Sequence, residues 1–278
     1  RDLRMSRGLG DVYKRQTDVW NFFLKTEIPN ACLPIGAIPT IAASGSEMSG
    51  SCVITNEDGW LKRGSTRSDL CRPKFTLMNP RLTYTLPEYQ TESGCVDILL
   101  HTMERYFVNI ETMEITDSIS ESLMQTVIYN ARILLNEPGN YNARAEIMWA
   151  GSLSHNGLTG CGTGGGDWAC HQLEHELGGL YDVTHGAGLA ALWGSWARYV
   201  YDANPERFAQ FATNIFDIPC FADYENTALA GIEAMEDFFR SIHMPTSLHE
   251  LGLDLTDEQI HELAFKCSLQ NCICCLLY

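Results

Sequence analysis

The spacing of apolar residues changes near residue 87 of this chain. Before that point, short apolar runs at 33–40, 51–55 and 75–78 are separated by Gly, Ser and Pro, which predicts short strands and turns. After it, apolar residues recur at helical spacing between capping and breaking residues. The predicted helices cover 87–107, 114–136, 141–159, 167–180, 186–201, 205–215, 222–242 and 256–267. This pattern indicates an α+β chain whose strands all lie in its first third.

The two ends of the chain differ from the rest. Residues 1–16 are basic and contain glycine, show no apolar periodicity, and resemble translated sequencing-adaptor sequence. Residues 271–278 are rich in cysteine and leucine and have a similar character. We interpret both segments as non-native tails and leave them out of fold reasoning. An ordinary disordered tail at each end is the alternative.

Composition excludes several classes of protein. The 278 residues include 19 Lys+Arg and 35 Asp+Glu, which gives a net charge of −16 and argues against nucleic acid as a partner. Hydrophobic residues make up 45% of the chain, enough for a substantial core. No apolar run approaches a membrane span and no signal segment opens the chain, so we predict a cytoplasmic protein without a membrane partner. The odd count of 11 cysteines favours reduced thiols.

A first pair of ionisable residues lies within a predicted helix. Asp97 and His101 are four residues apart in an apolar run, so both side chains lie on one helix face. Carboxylate and imidazole both bind divalent metal ions. Taken alone, such a pair is more often a simple polar contact along a helix than a metal site.

A second cluster contains three of the eight histidines within 15 residues. His171 and His175 share a helix face, and His185 follows a Gly-Gly break at which the helix can end. A helix and turn of this kind can return a third imidazole to the same point. An amphipathic helix with surface histidines is the alternative.

Joining Asp97 and His101 with two or three of the later histidines gives a set of one carboxylate and three imidazoles, which suits Zn²⁺ or Fe²⁺ better than Mg²⁺ or Ca²⁺. A rival interpretation uses fewer residues. His171-Gln172-Leu173-Glu174-His175 fits the H-x-x-E-H pattern of inverted zinc peptidases, in which the glutamate activates water. That interpretation predicts that Asp97 and His101 lie far from His171.

Four linked motifs give the chain a family resemblance. It resembles the iron-containing (group III) alcohol dehydrogenases, and in particular their branch of butanol dehydrogenases and NADPH-dependent aldehyde reductases. The motifs are Pro39-Thr40 with Ser44-Gly45-Ser46-Glu47, Asn79-Pro80 ahead of Leu86-Pro87, Asp97-x-x-x-His101, and His171-x-x-x-His175 with His185-Gly186. The resemblance covers roughly residues 19 to 266.

The resemblance implies a fold like that of dehydroquinate synthase, in two domains. Residues 17–87 would form the C-terminal part of an α/β dinucleotide-binding domain, and residues 88–270 an all-helical metal-binding domain. No glycine-rich pyrophosphate turn precedes Thr40. We therefore predict a fragment truncated at both ends, for which a non-catalytic metal-binding role is a further alternative.

The resemblance also implies the roles of individual residues. The metal ligands would be Asp97, His101, His171 and His185, with His175 facing the nicotinamide and substrate as a candidate proton relay. Thr40, Ser44 and Lys62 match positions that contact the cofactor. The implied reaction is hydride transfer between NAD(P)H and a small primary alcohol or aldehyde, assisted by Fe²⁺ or Zn²⁺, with NADP(H) favoured over NAD(H). The full-length form is expected to be a homodimer.

Overall fold

The strands and the long helices occupy different parts of the chain. The computed structural model describes residues 17–66, 68–110, 113–220 and 223–268, and the predicted tails at 1–16 and 271–278 lie outside these ranges. Within them, the strands are β1 (Gly36–Ala37), β2 (Ser51–Asn56), β3 (Leu61–Thr66) and β4 (Phe75–Thr76). Short helices α1 (Trp20–Phe23) and α2 (Ser68–Cys71) belong to the same region.

The long helices follow in sequence and agree with the predicted α+β pattern. They are α3 (Glu88–Tyr106), α4 (Glu114–Asn136), α5 (Tyr141–His155), α6 (Ala169–Tyr181), α7 (His185–Val200), α8 (Pro205–Phe216), α9 (Tyr224–Ser241) and α10 (Asp257–Ser268). All eight predicted helices are confirmed to within a few residues. The largest difference is at 141–159, where the α-helix ends at His155 and a 3₁₀ turn covers Leu158–Gly160. In the described part of the chain, no helix combines the length and apolarity needed to cross a membrane.

The described strands form two separate pairs. β1 and β4 are parallel, with Gly36 opposite Phe75, and β2 and β3 form an antiparallel hairpin with Thr55 opposite Lys62. The apolar runs predict β1, β2 and β4, although β1 and β4 are shorter than predicted. They do not predict β3, because its sequence Leu-Lys-Arg-Gly-Ser-Thr is mostly polar. The hairpin packs on α6 through β3, which brings Lys62 next to that helix.

Helix α3 forms the centre of the helical region. It begins directly after its N-cap residue Pro87, and every residue from Thr91 to Tyr106 is buried. A helix buried on all sides needs neighbours all round, and α4, α5 and α7 supply them. Its interior therefore encloses polar residues, including Asp97 and His101, away from solvent.

Close packing brings the start of α7 onto α3. A Cβ atom on Gly186 would lie 2.7 Å from the carbonyl carbon of Ser93, so only glycine permits this approach. α6 ends at Asp182, whose positive φ of 52° turns the chain back toward α3. The consequence is that His171 on α6 and His185 at the start of α7 both face α3.

Glu92 on α3 gives the first prediction. Its carboxyl group is buried with no hydrogen-bond partner, and burial, followed by the charge of Glu88, raises its pKa from 4.5 to about 8 despite the opposing effect of Arg144. Between these two pKa values Glu92 keeps its proton in the folded chain and loses it in the unfolded chain. The free energy of unfolding therefore falls as pH rises, by up to about 1.4 kcal/mol per pH unit. Glu92→Gln removes this loss.

The stability advantage of E92Q should therefore grow from pH 5 to about pH 8 and then level off. Urea unfolding followed by circular dichroism across this range measures it, with Glu146→Gln at an exposed site of α5 as the control. An advantage that is independent of pH would contradict the assignment of a protonated Glu92.

Candidate metal centre

Asp97 and His101 approach each other one helical turn apart on α3. Their side chains are 4% and 5% exposed, and Nδ1 of His101 lies 2.9 Å from Oδ1 of Asp97. The same nitrogen lies 2.8 Å from the backbone oxygen of Asp97. The helical spacing seen in the sequence thus places a carboxylate and an imidazole together in the protein interior.

The two histidines from α6 and α7 complete the cluster. Nε2 of His171 and Nε2 of His185 each lie 3.6 Å from Oδ1 of Asp97. Asp97, His101 and His171 each offer one ligand atom, and these atoms lie within 4.8 Å of one another. The His185 side chain is 30% exposed, so the cluster opens to solvent on its side.

The unpartnered atoms of this cluster fit a metal ion. Nε2 of His171 is buried without a hydrogen-bond partner, and Oδ1 of Asp97 makes no hydrogen bond of good geometry even to the nearby Nδ1 of His101, which is costly unless something else occupies these lone pairs. Burial opposes ionisation of Asp97, but His101 and His185 outweigh it and hold its pKa well below the usual value. An ionised carboxylate with several imidazoles suits Fe²⁺ or Zn²⁺.

A second carboxylate supports His171 from behind. Oε2 of Glu104 contacts Nδ1 of His171, and Oε1 of Glu104 accepts a 3.2 Å hydrogen bond from the His171 backbone. This contact directs Nε2 of the ring toward Asp97. Burial disfavours the charge on His171, but Glu104 outweighs it and raises the pKa of His171 to about 9, so metal binding there would release a proton.

Glu174 supports His185 in the same way. Its Oε2 contacts Nδ1 of His185, and Lys62 donates to both of its oxygens at 3.0 and 3.2 Å. Burial opposes ionisation of Glu174, but His185 and Lys62 hold its pKa at about 2. Glu174 thus contacts both a histidine and a lysine. Because Asp97 also lies 3.6 Å from His171, the expectation attached to the H-x-x-E-H interpretation is wrong.

His175 lies beside the open side of the cluster. It is half-buried, its Nδ1 has no hydrogen-bond partner, and its ring centroid is 6.0 Å from that of His185. Burial, together with the charge of Lys62, holds the pKa of His175 well below its ordinary value, although Glu174 opposes the shift. A neutral imidazole with a free nitrogen is available to exchange a proton or a hydrogen bond.

The loop at 40–46 reaches the cluster through His155. Thr40 and Ser44 are exposed, while Gly45 is buried against Gly151 and His155 at the end of α5. The His155 ring in turn meets the His101 ring edge-on, with centroids 4.2 Å apart. The structure therefore connects the predicted cofactor loop to the predicted metal ligands, whereas Lys62 reaches them from the β2–β3 hairpin.

Comparison with known proteins gives the family. The family model described as the C-terminal part of the Fe-containing alcohol dehydrogenases matches residues 91–275, and the model for iron-containing alcohol dehydrogenase matches residues 5–80. The chain belongs to the iron-containing alcohol dehydrogenase family. Both models match in the order expected from the four motifs, which confirms the resemblance seen in the sequence.

Relatives within the iron-containing alcohol dehydrogenase family include two curated proteins. The probable NADH-dependent butanol dehydrogenase 1 of Bacillus subtilis (strain 168) is 37% identical over 254 residues, covering 91% of this chain and 65% of that protein. The NADPH-dependent aldehyde reductase YqhD of Escherichia coli (strain K12) is 34% identical, covering 87% and 62%. The chain thus spans less than two thirds of the length of these relatives.

The fold is also that of a solved member of the family. The crystal structure of NADH-dependent butanol dehydrogenase A from Thermotoga maritima superimposes with a TM-score of 0.89 at 35% identity, covering 95% of this chain and 65% of that chain. The α+β fold predicted from the sequence is confirmed.

Three residues near the cluster were missed in the sequence. Glu104 lies three residues after His101 and seven after Asp97, so helical spacing could have revealed it. His155 and Trp168 carry no such signal, because they reach the cluster only through the fold. The Trp168 ring lies 5.2 Å from that of His171 and stacks under the guanidinium group of Arg105 at 4.6 Å.

Glu104 gives the second prediction. Glu104→Gln removes the negative charge behind His171 and leaves a side chain of the same size. Outer-sphere carboxylates of this kind contribute about 10- to 100-fold to metal affinity, so Zn²⁺ binding should weaken by that factor. Competition with a chromophoric chelator measures the dissociation constant, and Glu146→Gln should leave it unchanged. Equal affinities in E104Q and the unmodified chain would exclude this role for Glu104.

Proposed function

We propose that this chain carries the metal centre of an alcohol dehydrogenase or aldehyde reductase that transfers a hydride between NAD(P)H and a small primary alcohol or aldehyde. One observation supports the proposal above all. Asp97, His101, His171 and His185 converge, with a carboxylate behind two of the imidazoles and an opening at His185. A catalytic metal site needs such an open position, whereas a structural site is closed by its ligands.

Different residues would bind the metal ion, transfer the proton and contact the cofactor. Asp97, His101, His171 and His185 would hold Fe²⁺ or Zn²⁺, which supplies Lewis acidity toward the substrate oxygen when bound. His175 would accept or return the proton of the substrate hydroxyl at the open side of the centre. Thr40 and Ser44 would contact the cofactor from the exposed loop, and Lys62 from the hairpin.

The names of relatives differ in the cofactor. Of the two relatives described above, the Bacillus subtilis protein is named for NADH and the Escherichia coli protein for NADPH, and NADP(H) over NAD(H) stays a prediction. Iron agrees with the family name, and zinc agrees equally with the donor set. A homodimeric full-length protein and a cytoplasmic location stay predictions.

A non-catalytic metal-binding role is the second candidate. The chain spans 62 to 65% of the length of the two relatives, so the activity of the whole protein stays a proposal for it. The two candidates differ in nucleotide binding, because both require the metal centre and only the dehydrogenase requires a nicotinamide cofactor.

Asp97 gives the third prediction. With Fe²⁺ or Zn²⁺ added, the purified chain should oxidise NADH or NADPH when butanal is present, as followed by the loss of nicotinamide absorbance. Asp97→Asn should weaken metal binding and lower the rate together, each by more than about 100-fold, because it removes a ligand rather than an outer-sphere group.

Asp202→Asn, at an exposed site, provides the control for the loss of one carboxylate. If the unmodified chain binds the metal but neither nucleotide, the dehydrogenase assignment fails for this chain and the non-catalytic role is supported.

His175 gives the fourth prediction. His175→Ala should lower kcat/KM by about 100-fold or more and remove one limb of the pH–rate profile, since a positioned acid–base group contributes that much. Metal affinity should change little, because the proposed ligands remain. Exposed His261→Ala serves as the control. A variant that keeps the wild-type profile would exclude the relay role.

A further inference from the structure

Glu174 holds two positively charged or proton-donating groups at once. Lys62 donates to both of its oxygens at 3.0 and 3.2 Å, and Nδ1 of His185 contacts Oε2. The Glu174 side chain is fully buried, whereas that of Lys62 is 17% exposed. A lysine on the β2–β3 hairpin and a proposed metal ligand on α7 therefore share a single buried carboxylate.

The Lys62 ammonium group lies against Gly178 of α6, where a larger residue would leave no room for it. A Cβ atom on Gly178 would lie 2.5 Å from Nζ of Lys62 and 2.8 Å from Oε1 of Glu174. The backbone of Gly178 has no positive φ, so an alanine there suits the helix, and its methyl group conflicts with the ends of the Lys62 and Glu174 side chains where they meet. The position of the Lys62 ammonium group thus depends on the absence of one methyl group.

A separate ion pair fastens the hairpin to α6. Nη1 of Arg63 donates a 2.8 Å hydrogen bond to Oε1 of Glu176, whose side chain is fully buried. This bond does not involve Glu174 or His185. The Lys62 side chain can therefore leave Glu174 while β3 stays in place.

We propose that Glu174 couples the metal centre to Lys62, so that metal binding weakens the hold of Glu174 on the lysine. A cation on the outer nitrogen of His185 makes its Nδ1–H a stronger donor and draws the negative charge of Glu174 toward the imidazole. Two cations that share one carboxylate repel each other at close range. Metal binding thus makes the Lys62 ammonium group available to a polar or anionic group of the nucleotide. This inference rests on the proposed function, since it requires the metal centre.

The coupling must act in both directions. Removing the ammonium group from Glu174 should strengthen metal binding, which is the opposite of the result expected if Lys62 only stabilises the fold. Lys62→Met should raise the Zn²⁺ affinity about three- to tenfold, given the charge separation and a partly exposed setting. Gly178→Ala keeps the lysine but disrupts its contact with Glu174 from the α6 side, and should act in the same direction.

Lys266→Met is the matched control. Lys266 pairs with Glu262 at 2.9 Å on α10 and is also 17% exposed, so the variant removes the same charge from an equally exposed lysine whose partner is a surface carboxylate. Its Zn²⁺ affinity should equal that of the unmodified chain. Chelator competition measures all four affinities, and circular dichroism checks that each variant is folded.

The reciprocal effect is measured on the lysine itself. Limited acetylation followed by peptide mass spectrometry should modify Lys62 several-fold faster with Zn²⁺ bound than without it, while the rate at Lys266 stays constant. The coupling would be overturned if K62M and G178A both bound Zn²⁺ with wild-type or weaker affinity, or if the acetylation rate of Lys62 did not change with Zn²⁺. Either result would leave the proposed metal centre unaffected. A wild-type chain that does not bind Zn²⁺ at all would overturn the proposed function and the coupling with it.

Discussion

The burial of one ionised carboxylate determines the arrangement of this site. Asp97 lies in the middle of a helix whose residues are buried from Thr91 to Tyr106. A charge in that position is costly unless groups of opposite charge or strong donors surround it. The imidazoles of three histidines surround the Asp97 carboxylate: His101, His171 and His185. Glu104 contacts the far nitrogen of His171, and Glu174 contacts that of His185. Carboxylates and imidazoles therefore alternate outward from Asp97, and each group stabilises the buried charge or polar atom of the group before it.

This alternation requires three helices to meet with little freedom. α3 supplies Asp97, His101 and Glu104 on one face, whereas α6 and α7 supply the remaining histidines from either side of the turn at Asp182. The turn and the close approach at Gly186 bring α7 onto α3. The same features that pack the helices also determine the direction of the ligand nitrogens, so fold stability and site geometry depend on each other.

Local spacing in the sequence predicts the helices and the cluster of ionisable residues, and the family resemblance implies which members of that cluster are the metal ligands. Helix boundaries follow apolar periodicity and breaking residues, and Asp97, His101 and His171 occur in short motifs. Contacts between distant residues could not be predicted in this way. Lys62 and Glu174 are 112 residues apart, and β3, which carries Lys62, has too few apolar residues to indicate a strand. Glu104 shows that an informative helical spacing can be overlooked when its residue lies outside the family motif.

The two outer carboxylates differ in what holds them, and this makes the two sides of the centre unequal. Glu104 accepts a hydrogen bond from the backbone of His171, a partner that cannot move without unwinding the start of α6. Glu174 is held instead by Lys62, a flexible side chain from another element. His171 is therefore supported by a fixed contact in the buried part of the centre, and His185 by an adjustable one at its open side. In the proposed metal centre, the adjustable support would therefore lie on the side that is open to solvent at His185, and the fixed support on the buried side.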